Sequence, residues 1–165
     1  MSVETKEAAA RYHRKTLLAV ADRLLTEHGY DGMNMNMLAK EANYSKATVY
    51  VYFESKDEIV RLLCIERLGL LKKELALVVG NDMTDEEKFA EIKNVLDEFV
   101  RDDRVYFDFV CASEHADGEV DGSRKALSDL VGEILGELSL LAPEEELKRR
   151  WYAYYGRVKT ERMFA

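Results

Sequence analysis

Apolar positions recur at helical spacing along most of this chain. Leu17, Leu18, Ala21, Leu24 and Leu25 follow the i, i+1, i+4, i+7, i+8 pattern of one buried face, predicting a helix from about Arg11 to His28. Gly29 then supplies a residue able to take positive φ and stop it. Residues 1–10 read as a frayed, charged arm. Asn34 is a good N-cap for a short second helix through Leu38 and Ala39 to about Ala42. Asn43 suits a left-handed turn, and Ser45 caps a third short helix through Val49 and Tyr50 to Phe53. Ser55-Lys56-Asp57-Glu58 has the order of a capping box and opens a long fourth helix to about Val79. Thr84-Asp85-Glu86-Glu87 repeats that signature before the apolar series Phe89, Ile92, Val95, Leu96, Phe99. Beyond a polar joint at residues 101–104, Val105–Cys111 predicts a buried helix reaching about His115. A loop rich in Asp and Gly precedes a helix from about Arg124 to Leu141, and Pro143 opens a last one carrying Trp151, Tyr152, Tyr154 and Tyr155. No sustained two-residue alternation predicts a strand. The fold class is all-α.

Composition refines this picture. The 165 residues allow one medium domain, or a small domain joined to a larger one. The net charge is -8, unusual for a protein that touches nucleic acid, but the charge is uneven. Residues 1–60 hold eight Lys/Arg against nine Asp/Glu, a balance of -1, and the remainder holds sixteen against twenty-three, a balance of -7. A near-neutral first third can meet phosphates if its cations share a face. Two cysteines make no disulfide framework, no apolar run reaches transmembrane length, and the polar start is no signal peptide. These features point to the cytoplasm and to no membrane partner.

The chemistry concentrates in residues 34–53. Two short, separately capped helices around a tight turn have the layout of a helix-turn-helix, whose second helix enters the major groove. Ala47 is small enough for close approach, and Thr48 offers a hydroxyl and a methyl to base edges. Lys46, Tyr50, Tyr52 and Lys56 are donors suited to phosphates. Tyr50 and Tyr52 lie two apart and cannot both face inward on one helix.

Taken together, Gly29-Tyr30-Asp31-Gly32, Leu38-Ala39-Lys40-Glu41-Ala42, Ser45-Lys46-Ala47-Thr48-Val49-Tyr50 and Tyr52-Phe53-Glu54-Ser55-Lys56-Asp57-Glu58 resemble the N-terminal domain of the TetR family of regulators, over about residues 11–65. The resemblance implies a homodimer. Each copy would have a three-helix DNA-binding head, residues 1–55, and a helical effector-binding and dimerisation body, residues 56–165. It implies phosphate contacts at Lys46, Tyr50 and Lys56, and groove-facing readers at Ala47, Thr48 and Val51. Asn43 stands where the family mostly has Gly, and Tyr44 where it has a small aliphatic residue. Met33, Met35 and Met37 replace its usual polar residues, which shifts contacts toward Asn34 and Asn36. Ser45 completes the expected DNA-binding set.

Aromatic residues of the second part have two readings. Phe99, Tyr106, Phe107, Phe109, Trp151 and Tyr155, with Cys111, could line an effector pocket, or could be bundle core or dimer interface. Cys111 and His115 have i, i+4 spacing, but two ligands complete no metal site and none is expected. No cofactor is expected, and no phosphate-cradling loop, zinc-protease helix or nucleophile elbow points to an enzyme. The expected function is a sequence-specific regulator, a repressor released from a palindrome-like double-stranded DNA operator by a small-molecule effector. The alternative is a helix-turn-helix protein without such an effector, architectural or governed by a protein partner.

Overall fold

A computed structural model of the chain describes residues 3–113, 122–139 and 149. Seven helices make up the described part: α1 Val3–Gly32, α2 Met35–Glu41, α3 Lys46–Tyr52, α4 Lys56–Val79, α5 Asp85–Asp102, α6 Arg104–Ser113 and α7 Gly122–Ser139. The expected helix after Pro143, with Trp151 and Tyr155, lies outside the described residues.

Local side-chain chemistry sets most of these boundaries. Asn34, Ser45, Ser55 and Thr84 each accept a bond from the backbone N–H three residues on, satisfying a donor that the first helical turn leaves open. Thr84 and Glu87 form the full reciprocal box. Ser55 and Glu58 form only half of theirs, because Glu58 Oε2 accepts instead from the N–H of Glu54 at 2.6 Å. Asn43 takes φ 59° in the α2–α3 turn, as its position predicts.

Two expectations for α1 change. Residues 1–10 are not a frayed arm throughout, since helix begins at Val3. Gly29 does carry positive φ, but at φ 70° and ψ 178° it lies in a region open essentially to glycine alone and is not left-handed helical. The chain therefore kinks there and makes one more turn, closed by the N–H of Met33 on the carbonyl of Gly29 at 3.2 Å.

Helix α1 packs on α2, α3, α4 and α6, while α4 runs on against α5, α6 and α7. One apolar cluster joins them, from Leu17, Leu24 and Leu38 through Val49, Phe53 and Ile59 to Leu75, Phe107 and Ile134. Beside it lies a polar joint. Arg67 of α4 reaches Asp22 of α1 at 2.7 Å and Asp103 at 3.5 Å, and the buried Tyr106 of α6 gives its hydroxyl hydrogen to Asp22. Burial and the Asp22 carboxylate together push the Tyr106 phenol well above its ordinary value.

Two weak acids, the half-buried Tyr30 and the buried Cys64, give the fold a pH signature. Burial, then the bond to Asp57, pushes Tyr30 up to about 12 from 10.0, and burial pushes the Cys64 thiol up to about 12 from 9.0. The folded chain holds these protons more tightly than the unfolded chain. Their contribution is complete below the unfolded values and is lost as pH rises through the folded ones. The urea midpoint should stay level from neutral pH to about 9, then fall steadily toward 12. Tyr30→Phe should fall less steeply over that window, and equal slopes for both proteins would remove Tyr30 from this account.

Candidate nucleic-acid interface

The recognition element of the predicted motif is α3. Ser45 anchors its start: Oγ accepts from the N–H of Thr48 at 3.0 Å and pairs with Thr48 Oγ1 at 2.7 Å. Val49 faces inward and is fully buried, fixing the helix on the cluster below. Phe53 closes its end, with its N–H on the carbonyl of Val49 at 3.0 Å.

This seating decides which side chains are presented. Lys46, Ala47, Tyr50 and Val51 are exposed, and the i, i+4 pairs 46/50 and 47/51 form one continuous face. Val51 is 77% exposed and Tyr50 46%, so a two-turn helix offers solvent an apolar and aromatic surface that the fold does not use. Lys46 Nζ lies 5.9 Å from the centre of the Tyr50 ring. Thr48 is half-buried at the edge of the face with its hydroxyl engaged by Ser45.

Other predicted residues take different places. Tyr52 turns toward α1, its ring 5.8 Å from that of His13, so Tyr50 faces out and Tyr52 does not share its face. Asn34 is exposed, but its Oδ1 accepts from the N–H of Met37 as the α2 cap. Asn36 is exposed on α2. Met33 and Met35 are buried and Met37 is half-buried, which makes this methionine series mainly a core feature. Lys56 is half-buried, and its Nζ donates to the carbonyls of Tyr30 at 2.9 Å and Met33 at 3.3 Å.

Sequence reasoning missed three supporting side chains. Arg14 Nη1 donates to the Tyr52 carbonyl at 2.5 Å, and its guanidinium lies 4.6 Å from the centre of the Phe53 ring. His13 Nδ1 and the Tyr44 hydroxyl share a hydrogen bond at 2.5 Å, tying α1 to the turn before α3. Tyr44, the departure from the small residue expected there, fills its space by pairing with His13. Residues such as Arg14 carry no local mark of these roles.

Among the candidate pocket residues, Phe99, Tyr106 and Phe107 are buried, and Phe109 is half-buried with its ring 5.6 Å from that of Tyr30. The side chain of Cys111 lies outside the described set, as do Trp151 and Tyr155. Among the described residues, no group of three His, Cys, Asp or Glu could hold a metal ion, and no helix is long and apolar enough to cross a membrane.

Residues 17–63 match the family model for bacterial regulatory proteins, tetR family. An uncharacterised HTH-type transcriptional regulator of Mycobacterium bovis is 52% identical over 50 residues, which are 30% of this chain and 25% of that one. The match thus spans about a quarter of the length of that relative. A protein from Shewanella sp. PV-4 assigned to the tetR family of transcription regulators superposes with a TM-score of 0.56 at 12% identity, covering 92% of this chain and 90% of that one. The transcriptional regulator FadR from Bacillus subtilis, solved in complex with stearoyl-CoA, superposes with a TM-score of 0.55 at 19% identity, over 77% of this chain and 67% of that one. These two likenesses concern the fold. The all-helical architecture, the exposed face of α3 and the match over residues 17–63 agree: this segment carries the helix-turn-helix domain of the tetR family of bacterial regulatory proteins.

Proposed function

We propose that the chain is a sequence-specific DNA-binding regulator that reads the major groove with α3. The observation that carries this reading is the outward face of α3, where Lys46, Ala47, Tyr50 and Val51 stand exposed on a helix seated by a fully buried Val49. A small residue and a methyl-bearing one beside a cation and a phenol suit close approach, thymine methyl contact and phosphate bonding. Residues 1–55 act as the head and residues 56–165 as the body. A homodimer would place two α3 helices in successive grooves of a palindrome-like operator.

The regulatory half of the reading is repression relieved by a small molecule held in the body. Its support is the fold likeness to a regulator solved with stearoyl-CoA, together with the aromatic content of α5 and α6. Tyr106 is a poor ligand contact, because its hydroxyl is committed to Asp22. Phe99, Phe107 and Phe109 remain candidates, with Cys111, Trp151 and Tyr155 proposed from sequence alone.

Selection of genomic DNA fragments by the purified chain tests the reading. An enriched inverted repeat with half-sites about one helical turn apart is the expected result. No enrichment over random fragments would sink sequence-specific reading. On the enriched site, Thr48→Ala should relax preference at one base position by about tenfold, near the low end of what a base contact carries. An unchanged preference profile would remove Thr48 from the readers.

A further inference from the structure

The helix-turn-helix is gripped by a cation at its entrance and another at its exit. At the entrance, Lys56 of α4 donates to the carbonyls of Tyr30, near the end of α1, and Met33, just before the α2 cap. Its ammonium also sits 3.8 Å from the centre of the Tyr30 ring, and the Tyr30 hydroxyl is held by the adjacent Asp57. Two successive residues of α4 thus close on one residue at the end of α1. At the exit, Arg14 of α1 donates to the carbonyl of Tyr52, the last residue of α3, and lies on the Phe53 ring. It is 3.9 Å from Glu58, which in turn accepts from the N–H of Glu54.

Carbonyls at a helix end lack an intrahelical partner, and a cation there also meets the negative end of the helix dipole. An ammonium has three hydrogens to donate. Two of those on Lys56 go to carbonyls and its charge lies against the Tyr30 ring, so the position of the ammonium is set by the entrance it holds.

We propose that Lys56 and Arg14 are positioning residues that set the pitch of α3 from its two flanks and contribute no phosphate contact. The phosphate charge then falls to exposed cations, Lys46 first. The inference rests on the DNA-binding reading above and assigns roles within it. Positioning and phosphate binding leave different marks. A phosphate contact on duplex DNA adds about 0.9 to the slope of log affinity against log salt and acts on every sequence alike. A positioning residue adds nothing to that slope. Its loss harms the specific complex, which needs α3 at one pitch, far more than the non-specific one.

The experiment uses the full chain and two duplexes of equal length, the fragment enriched by selection and a scrambled version, over a series of salt concentrations. Lys56→Met should lose about tenfold or more on the enriched duplex and under about threefold on the scrambled one, with slope unchanged, in keeping with loss of a charge-assisted hydrogen bond. Lys46→Met is the reference and should weaken both duplexes alike while lowering the slope by about 0.9. Lys56→Arg keeps the charge. A phosphate ligand would tolerate it on both duplexes, whereas a positioning ammonium is replaced by a planar fork that does not fit between two carbonyls, and discrimination falls. Arg14→Lys should likewise lose discrimination at constant slope. If Lys56→Met is unfolded by circular dichroism, Lys56→Arg decides. A Lys56→Met slope lowered by about 0.9 with equal losses on both duplexes, or a Lys56→Arg that discriminates like wild type, overturns the proposal. A wild-type chain that binds neither duplex removes the DNA-binding reading itself.

Discussion

Phe53→Ala is expected to destabilise the chain by about 3–5 kcal/mol, the largest single effect among these predictions. The side chain is 1% exposed and sits where α3 ends, between the apolar cluster and the Arg14 guanidinium. Truncation removes the ring from the cluster and leaves a cavity. It also removes the aromatic face beneath Arg14, a further contribution of about 0.5–1 kcal/mol at a partly exposed site. Against a total stability of roughly 5–15 kcal/mol for a domain, this is more than half at the low end of that range. The apolar cluster is continuous from Leu17 to Ile134, so the whole urea transition should move to lower concentration as one step. Val51→Ala is the control: two residues away but 77% exposed, it should change stability by no more than about 0.5 kcal/mol. A loss below about 1 kcal/mol for Phe53→Ala would show that the site collapses onto itself. A separate early transition would show that the helix-turn-helix has a core of its own.

The contrast between Phe53 and Lys56 shows what the sequence could and could not reveal. Elements set by local chemistry were legible. Asn34, Ser45, Ser55 and Thr84 each bond to a backbone group three residues away, so the pattern that predicts the cap contains both partners. Asn43 was legible for the same reason, because tolerance of positive φ belongs to the residue itself. At the start of α1 the helix-forming run Glu7–Ala10 outweighs the charge that predicts a frayed arm. Partners remote in sequence were not legible. Lys56 meets a carbonyl 26 residues away, and Tyr106 a carboxylate 84 residues away. A lysine that satisfies a carbonyl and one that awaits a phosphate look alike in a sequence. Periodicity likewise marked Phe99, Tyr106 and Phe107 as inward-facing, but burial alone does not separate core from pocket lining.

Gly29 and Gly69 should respond to alanine with opposite signs, although an added Cβ meets nothing within 4 Å at either position. Gly69 lies inside α4, where alanine costs less backbone entropy on folding, so Gly69→Ala should stabilise by about 0.5–1 kcal/mol. Gly29 stands at φ 70° and ψ 178°, a region that side-chain-bearing residues scarcely enter, so Gly29→Ala should destabilise by about 1–3 kcal/mol. The cost there is one of backbone conformation, since no neighbour is touched. It should also reach α3. The kink at Gly29 sets the turn that carries Tyr30 beneath Lys56 and brings the Met33 carbonyl to the same ammonium. A chain that relaxes φ at residue 29 to a negative value swings both carbonyls away from α4 and loosens the entrance to α2. Gly29→Ala should therefore lose affinity for the enriched duplex beyond what its stability loss predicts, and Gly69→Ala should not. Paired urea denaturation and duplex titration read both effects. Stabilisation by alanine at both glycines would mean that the kink at Gly29 is dispensable, and the account of Tyr30 and Lys56 as one closed joint would lose its geometric basis.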